Sequence, residues 1–529
     1  MRIHVNMGHL QPENVARSIK TRLKPEWVCA FWSTVAAGLL IHFYRLANYI
    51  TVDDTPYFSY SPQDTSELGR WFLQWAGAIS SYMELPALNS LLAIFYLSLF
   101  AVLVVELFEI RHKFYATLVG GILASLPAFT TTLMFGYAAD PYMLAMLMAG
   151  VAVLCADRAP LMQGIVLGSL LLGLSMAIYQ AYIDVAAVLC ISSLLFAILK
   201  EKREQFWRKI ALLLLRFVCI GVGGILFYIV GTKMVLGIKG VVASDYGGFS
   251  TMGGINFKGS LNVLYQIYLS PRHIFMDEFC YADRAMWQLL GWLAILTIIG
   301  LALRQTAKSG LRPHHWSRIS AVLLCVALLP AAAHLLAIAQ PHIFPYNSLN
   351  AFASGILWVV LLALIAKQEK PGIVTTLLRW FALVVVALSI WHFILIAQQC
   401  YKVARIVTER DMAVGNRVLM RMEEIEGYDL EGKVWFSGIV VPTESTTGLM
   451  QQAEKLRVNM RGLHTDTLLY GDNAYHIWMN EILGTAFQFA TAEEKQRIAQ
   501  TPEYGAMPPW PEEGCVKMID DVLVVRLQE

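Results

Sequence analysis

Apolar residues along the chain fall in blocks of about 18–25 residues, separated by shorter polar segments. A helix of about 20 apolar residues crosses a hydrocarbon core of about 30 Å, so each block predicts one membrane-spanning helix. The pattern predicts eleven spans, at approximately 27–47, 85–108, 114–136, 139–156, 161–179, 182–199, 210–232, 285–303, 319–340, 348–366 and 380–398. The predicted fold class is therefore an all-α polytopic membrane protein.

Lysine and arginine alternate between the segments that connect these spans. The rich segments are 1–26, 111–113, Arg158, 200–209, 304–318 and 367–370, whereas the other connections hold few basic residues. Basic loops stay in the cytoplasm, so the pattern predicts a cytoplasmic N-terminus at 1–26. Eleven crossings of the membrane domain at 27–398 then leave the final segment, 399–529, on the outer side.

The final segment has the mixed patterning of a small soluble domain. Helical periodicity covers about 402–425, 446–459 and 473–484, and an apolar run rich in β-branched residues covers 433–441. Two further apolar runs flank Asp520 and Asp521, a pattern typical of a β-hairpin. The sequence predicts an extracytoplasmic α/β domain.

Composition excludes an ordinary soluble protein and gives no sign of a metal site. Of 529 residues, 57% are apolar and 15% charged, and the mean hydropathy is +0.53. The eight cysteines are scattered without a CxxC motif or a cysteine/histidine cluster, so no metal is expected. The net charge of +2 carries no information about partners.

The first outer loop holds two adjacent acids, Asp53 and Asp54, directly after the first span. An ionised carboxylate beside a sugar hydroxyl can accept its proton as that oxygen attacks an anomeric carbon, which is general-base catalysis. Acids at this place also serve simply to end a helix and to hydrate a loop. The pair alone leaves both interpretations open.

A predicted amphipathic helix follows at about 62–82 and would lie in the headgroup layer beside the acids. Its start has the pattern of a capping box with proline at the first helical position. The guanidinium of Arg70 suits phosphate oxygens, and an ion pair with Glu67 one turn earlier is an equal alternative. Its apolar face would contain Leu68, Trp71, Phe72, Trp75, Ile79 and Tyr82.

These motifs, taken together, resemble a known family. They are the acidic pair four residues after Tyr49, then Gly69-Arg70-Trp71, Phe135-Gly136-Tyr137 running into Asp140-Pro141-Tyr142, Ile178-Tyr179-Gln180-Ala181-Tyr182, and Met507-Pro508-Pro509-Trp510-Pro511 before Gly514. The set is similar to the bacterial Gtr type II glucosyltransferases, which have the GT-C architecture and modify O-antigen or related surface glycans.

The resemblance implies transfer of glucose, or a similar hexose, from a polyprenyl-phosphate carrier to a glycan at the outer side of the bacterial inner membrane. It also implies inversion without a metal, with Asp53 or Asp54 as base, and no cofactor other than the lipid-linked donor as substrate. Expected partners are membrane lipid, the donor and a glycan acceptor, with a donor synthase and a small flippase in the same pathway. No nucleic-acid partner is expected.

Other polar residues are predicted at the same membrane level. Lys233 and Arg272 are candidates to bind the donor phosphate with Arg70, although basic residues here also snorkel to lipid headgroups. The alternative for Tyr179 and Gln180 is that they satisfy backbone groups at two helix ends. The candidate sugar or acceptor contacts are Tyr57, Glu67, Trp71, Asp140, Tyr179, Gln180, His342 and Tyr346.

Two other function classes compete with glycosyl transfer. A transporter or flippase for lipid-linked glycans would show charges at mid-membrane or inverted repeats, and the sequence has neither. A glycan polymerase or ligase would present arginine-rich outer loops rather than an acidic first loop. The acidic loop therefore favours general-base transfer.

Overall fold

The computed structural model describes residues 11–48, 65–200, 206–244, 256–269, 279–280, 284–307, 315–344, 348–367, 372–440, 459–460, 467, 469 and 471–528. The helices of the membrane part are α1 (Pro12–Arg22), α2 (Pro25–Ala47), α3 (Leu73–Gly77), α4 (Pro86–Leu107), α5 (Lys113–Ser125), α6 (Pro127–Met134), α7 (Ala139–Arg158), α8 (Leu161–Ile178), α9 (Tyr182–Lys200), α10 (Phe206–Lys239), α11 (Phe257–Leu269), α12 (Arg284–Ala307), α13 (His315–Ala333), α14 (Leu335–Ala339), α15 (Phe352–Ala366) and α16 (Ile373–Glu423).

The predicted polytopic fold is confirmed. In the described part of the chain, 10 helices are long and apolar enough to cross a membrane, or 11 if one bent pair is a single span. That pair is α5 and α6, which meet at 46°. Pro127 starts α6, and its ring disfavours a helical conformation at the preceding Leu126, which has a ψ of 133°. The span predicted at 114–136 is therefore a broken helix.

One end of the bundle, called the basic end here, is held together by ion pairs. Glu106 accepts from Lys24 at 2.7 Å and from Arg111 at 2.8 Å, and Glu109 accepts from Lys200 at 2.8 Å. Burial would raise the pKa of the Glu109 carboxyl, but its hydrogen bond to Lys200 and the nearby cations keep that pKa below its usual value. The first loop, residues 65–85, lies at the opposite end, called the site end.

The last membrane helix, α16, continues far beyond the bilayer. Its 51 residues extend for about 76 Å at about 1.5 Å per residue, more than twice a hydrocarbon core. Tyr401 contacts His42 at 2.6 Å, close to the site-end terminus of α2. Residues after 405 therefore project from the site end. The helix predicted at 402–425 is a continuation of the final span and not a separate element.

The projecting helix leads into a four-stranded sheet with the order β4-β2-β6-β5. Strand β6 runs parallel to β2 and antiparallel to β5, in a hairpin that turns at Asp520 and Asp521. Both turn residues have positive φ, as a two-residue type I′ turn requires. The elements are β2 (Lys433–Ser437), β4 (Gln488–Phe489), β5 (Val516–Ile519) and β6 (Val522–Arg526), with helices α17 (Asp472–Ile482), α18 (Ala492–Ala499) and α19 (Pro502–Gly505).

The predicted α/β character of the final segment is confirmed, including the hairpin, a strand at Lys433–Ser437 within the run at 433–441, and the helix near 473–484. The helix predicted at 446–459 falls almost wholly outside the described residues, and its last residue belongs to strand β3 (Asn459–Met460). Strand β3 pairs with β1 (Phe279–Cys280) of the second large loop. The tail and that loop are thus joined by backbone hydrogen bonds.

Where one amphipathic helix is predicted at about 62–82, the described part has a series of short turns. A 3₁₀ helix at Ser66–Leu68 ends at Gly69, whose φ of 74° is left-handed, and Thr65 bridges Arg70. Helix α3 follows, and Ser81 ends the segment with a φ of 67°. Such backbone angles break a helix, and tertiary hydrogen bonds stabilise the turns in its place.

Candidate functional site

Arg70 lies at the site end against two stacked tyrosines. Its guanidinium carbon is 4.9 Å from the ring centroid of Tyr179, and its Nη1 donates to the hydroxyl of Tyr142 at 3.3 Å. The two rings stack with centroids 4.3 Å apart and planes inclined by 24°. The Tyr179 hydroxyl donates to Asn350 Oδ1 at 2.5 Å. These four residues are called the Arg70 cluster.

Helix α10 presents one face to the turns of the first loop. Tyr228 accepts from Gln180 Nε2 at 2.9 Å, Thr232 accepts from Trp71 Nε1 at 3.2 Å, and Lys239 donates to Ser66 at 3.0 Å. These α10 positions are spaced by four and seven residues, so they lie on the same side of a helix. Lys239 therefore lies beside the turn that carries Arg70.

The backbone of the first loop is also fixed to the bundle. Phe72 N donates to the carbonyl of Ala177 at 2.9 Å, and Gln180 Nε2 donates to the carbonyl of Leu68 at 2.8 Å. The carbonyl of Glu67 accepts from Ser244 N at 2.9 Å. The loop is thus held by the turn between α8 and α9 on one side and by the end of α10 on the other.

A buried ion pair lies at the exit of α2. Arg45 Nη2 and Glu84 Oε1 are 2.6 Å apart, and each side chain is only 1% exposed. Arg45 also donates from Nε to the carbonyl of Leu133 at 2.8 Å and from Nη1 to the carbonyl of Asn48 at 3.2 Å. The pair therefore determines where the chain leaves α2 for the loop that contains the acidic pair.

Asp140 is fully buried at the start of α7. Its Oδ1 accepts from Asn89 Nδ2 at 2.9 Å, and the Asn89 amide oxygen accepts from Leu85 N at 2.6 Å. This chain of hydrogen bonds joins the first turns of α4 and α7. Asp140 is two residues before Tyr142, so the two side chains leave α7 on different sides. Asp140 thus acts in the contact with α4 and not in the Arg70 cluster.

The structure brings together some of the predicted site residues and separates others. Arg70, Trp71, Tyr179 and Gln180 meet at the site end, and the contacts described for Arg70 are with tyrosines rather than with Glu67. Lys233 is exposed on α10, next to the residue that contacts Trp71. His342 is exposed in the 3₁₀ helix Pro341–Ile343. The predictions for Asp53, Asp54, Tyr57, Arg272 and Tyr346 lie outside the described residues.

Sequence reasoning missed several residues that complete the site. Tyr142 appeared only inside a motif, and Asn350 carried no signal because it is 171 residues from Tyr179 along the chain. Tyr228, Thr232 and Lys239 did carry a signal, since their spacing places three polar side chains on one face of a mostly apolar helix. Among the described residues, no group of three or more His, Cys, Asp or Glu is arranged to hold a metal ion.

Comparison with known families identifies the membrane part. The pattern of the glucosyl transferase GtrII family matches residues 43–364, more than half of the chain. The chain belongs to the GtrII family. The matched region includes the whole Arg70 cluster and the Arg45–Glu84 pair, and it ends inside α15, before the projecting domain. No curated protein and no solved structure matches the chain.

Membership confirms the predicted family and establishes the general activity. This GtrII protein is a glucosyltransferase, and its apolar helices make it a multi-pass membrane protein. Transport of lipid-linked glycans is disfavoured by this assignment. The donor, the acceptor and the roles of single residues follow from further argument.

Proposed function

We propose that this GtrII protein transfers glucose from a polyprenyl-phosphate carrier to a lipid-linked or surface glycan, such as O-antigen, on the periplasmic side of the bacterial inner membrane. The observation that carries the proposal is the Arg70 cluster. An arginine held against two tyrosines at one end of a membrane bundle suits a phosphate that is anchored by an isoprenoid chain.

The distribution of charge supports the proposed side of the membrane. The ion-paired lysines and arginines of the basic end, among them Lys24, Arg111 and Lys200, obey the positive-inside rule if that end is cytoplasmic. The site end and the projecting domain would then be periplasmic. A periplasmic domain beside the site is well placed to select the glycan acceptor.

In the proposed reaction, Asp53 or Asp54 accepts the proton of an acceptor hydroxyl while its oxygen bonds to the anomeric carbon of glucose. The bond from that carbon to the phosphate oxygen breaks, and polyprenyl phosphate leaves with the electron pair. A single displacement of this kind inverts the anomeric centre. Because negative charge grows on the leaving phosphate, Arg70 and the nearby Lys239 would stabilise the transition state without a metal.

The acidic pair is tested by replacing each acid with its amide. Asp53→Asn, Asp54→Asn and the double variant are purified in lipid nanodiscs and assayed for transfer from polyprenyl-phosphate glucose to lipid-linked glycans. Loss of a general base lowers the rate by about 10²–10⁴-fold, so one single variant and the double variant should fall that far.

The matched control is Asp64→Asn, which changes another acid of the same loop and should remain within about twofold of the wild-type rate, since only the base itself changes the rate strongly. Full activity in the double Asp53/Asp54 variant would refute the mechanism. An equal loss in Asp64→Asn would indicate that loop charge, and not a base, matters.

A further inference from the structure

The guanidinium group of Arg70 is held in place before any ligand arrives. Tyr179 supports its face at 4.9 Å, and Tyr142 accepts from one of its terminal nitrogens at 3.3 Å. Arginine has a long, flexible side chain, and freezing it on binding normally weakens the complex. A side chain already fixed against two rings avoids that loss, so the cluster has the form of a preorganised anion-binding group.

The ring that supports Arg70 is fixed in turn. The Tyr179 hydroxyl donates to Asn350 Oδ1 at 2.5 Å, and Tyr142 stacks on the Tyr179 ring at 4.3 Å. Tyr182 contacts the same ring edge-on, with centroids 5.8 Å apart. Asn350 belongs to the 3₁₀ helix Ser348–Ala351, which leads directly into α15. The orientation of Tyr179 therefore depends on a residue from a distant part of the chain.

These contacts conflict with the role in sugar binding predicted for Tyr179. Its hydroxyl is committed to Asn350, one face of its ring to Tyr142, and its π-system to the Arg70 cation. The residue is also only 5% exposed. A side chain with so little free surface cannot be a main contact for a sugar hydroxyl.

We propose that Tyr179, Tyr142 and Asn350 are positioning residues that hold the Arg70 guanidinium in the orientation that binds the donor phosphate. The proposal rests on the proposed function, because it assumes a phosphate-linked donor. Asn350 holds the Tyr179 ring in place, and that ring holds the Arg70 guanidinium. The hydroxyl of Tyr142 accepts from Nη1 and so sets the rotation of the guanidinium. Through this chain of contacts, α7 and the 3₁₀ helix Ser348–Ala351 control how well the first loop binds the donor.

The test compares donor and acceptor kinetics in the full-length protein in nanodiscs. Tyr179→Phe removes the hydrogen bond to Asn350 and keeps the ring, and Asn350→Ala removes the partner. Each should raise the KM for polyprenyl-phosphate glucose by about fivefold, the effect of one hydrogen bond. The acceptor KM should stay constant, since Arg70 contacts only the donor. The double variant should match the single variants, because both remove the same contact.

Tyr142→Phe should likewise raise the donor KM, and Tyr179→Leu should raise it further because it also removes the ring beneath the cation. The control is Tyr115→Phe in α5, which removes a tyrosine hydroxyl at the basic end, opposite Arg70, and should leave both KM values unchanged. A merely structural role would lower the thermal stability and change the donor and acceptor KM together. That result would overturn the proposal.

The outcomes separate the two proposals. No transfer from polyprenyl-phosphate glucose by the wild-type protein would refute the proposed donor, and the positioning role with it. Wild-type transfer with an unchanged donor KM in Tyr179→Phe and Asn350→Ala would refute the positioning role alone. A selective rise of the donor KM in both variants, absent from Tyr115→Phe, supports it.

Discussion

Replacing Gly136 by alanine should destabilise the membrane domain through the buried Arg45–Glu84 pair. A Cβ at this position would lie closer than 3.0 Å to Glu84 Oε1 and Arg45 Nη2, a separation that real Cβ atoms essentially never show. Gly136 lacks a positive φ, so alanine brings no backbone strain of its own. The added methyl group must therefore separate the pair or move the 3₁₀ helix Gly136–Ala138.

The size of the effect follows from the burial of the pair. Arg45 cannot easily move away, because its other nitrogens donate to the carbonyls of Leu133 and Asn48. The carboxylate of Glu84 has to move instead, and both side chains are 1% exposed, so water cannot replace the lost partner. Breaking a buried ion pair costs about 3–5 kcal/mol, far more than the fraction of a kcal/mol that alanine normally adds to a helix.

The assay is the rate of thermal inactivation of purified protein in nanodiscs, with the apparent Tm measured at one scan rate, because unfolding of such proteins is rarely reversible. The control is Gly121→Ala in α5, where the nearest atom to a new Cβ is Ile390 Cδ1 at 3.8 Å. Gly136→Ala should inactivate at least tenfold faster, and Gly121→Ala should be neutral or slightly stabilised.

A second variant tests whether Gly136→Ala acts by breaking the Arg45–Glu84 ion pair or only by steric overlap. Glu84→Ala removes the carboxylate and makes room for the methyl group, and it should itself destabilise the protein because it leaves Arg45 buried without its charge partner. Gly136→Ala should add little to the Glu84→Ala background, since residues that share one interaction are not additive. Equal inactivation rates for Gly136→Ala and Gly121→Ala would refute the reasoning.

The remaining predictions concern the donor site and the projecting domain. Lys239→Ala should raise the donor KM by about tenfold, because Lys239 donates to Ser66 of the Arg70 turn. Lys233→Ala changes another exposed lysine of α10 and should change the donor KM by no more than about twofold. Equal effects of the two substitutions would contradict the role of Lys239. Burial lowers the pKa of His476 below 6.5, against the opposing effect of Asp472, and the neutral ring hydrogen-bonds the carbonyl of Val434 at 3.0 Å. Below pH 6.5 the unfolded chain therefore binds a proton at His476 that the folded domain does not bind. The free energy of unfolding should fall as the pH is lowered from 7.5 to 5.5. This histidine contributes at most about 1.4 kcal/mol per pH unit to that fall. The rate of proteolysis of the projecting domain, measured as a function of pH, reports its stability. His476→Gln should make this rate depend less on pH. An unchanged dependence in His476→Gln would show that other groups dominate.

The membrane fold can be predicted from the order of apolar and polar residues alone. A block of apolar residues long enough to cross a bilayer predicts a helix, because a helix hydrogen-bonds its backbone N–H and C=O groups within the same segment. The same reasoning predicted the hairpin at Asp520 and Asp521, where the turn and its flanking runs are local. It also selected Arg70, Tyr179 and Gln180 as site candidates, and the structure brings these residues together.

Local patterns failed where tertiary contacts override them. The periodicity at 62–82 predicts one helix, but Gly69 adopts a left-handed φ, and Phe72 donates its backbone N–H to Ala177. These contacts come from a distant segment and replace the hydrogen bonds of a continuous helix. The sequence also predicted that the last span ends at 398 and that a separate helix begins at 402. In the structure the two are one helix, α16, and buried side chains line its projecting part.

Which side chains form the site depends on contacts between distant parts of the chain. Arg70 is 72 residues from Tyr142, and Tyr179 is 171 residues from Asn350. Contacts over such distances along the chain cannot be predicted from local residue spacing. Periodicity tells which face of a helix is buried, but the neighbour of that face depends on how the whole bundle packs. For this reason the sequence did not predict the contact of Lys239 with the first loop or the contacts of Tyr179 with Arg70 and Asn350.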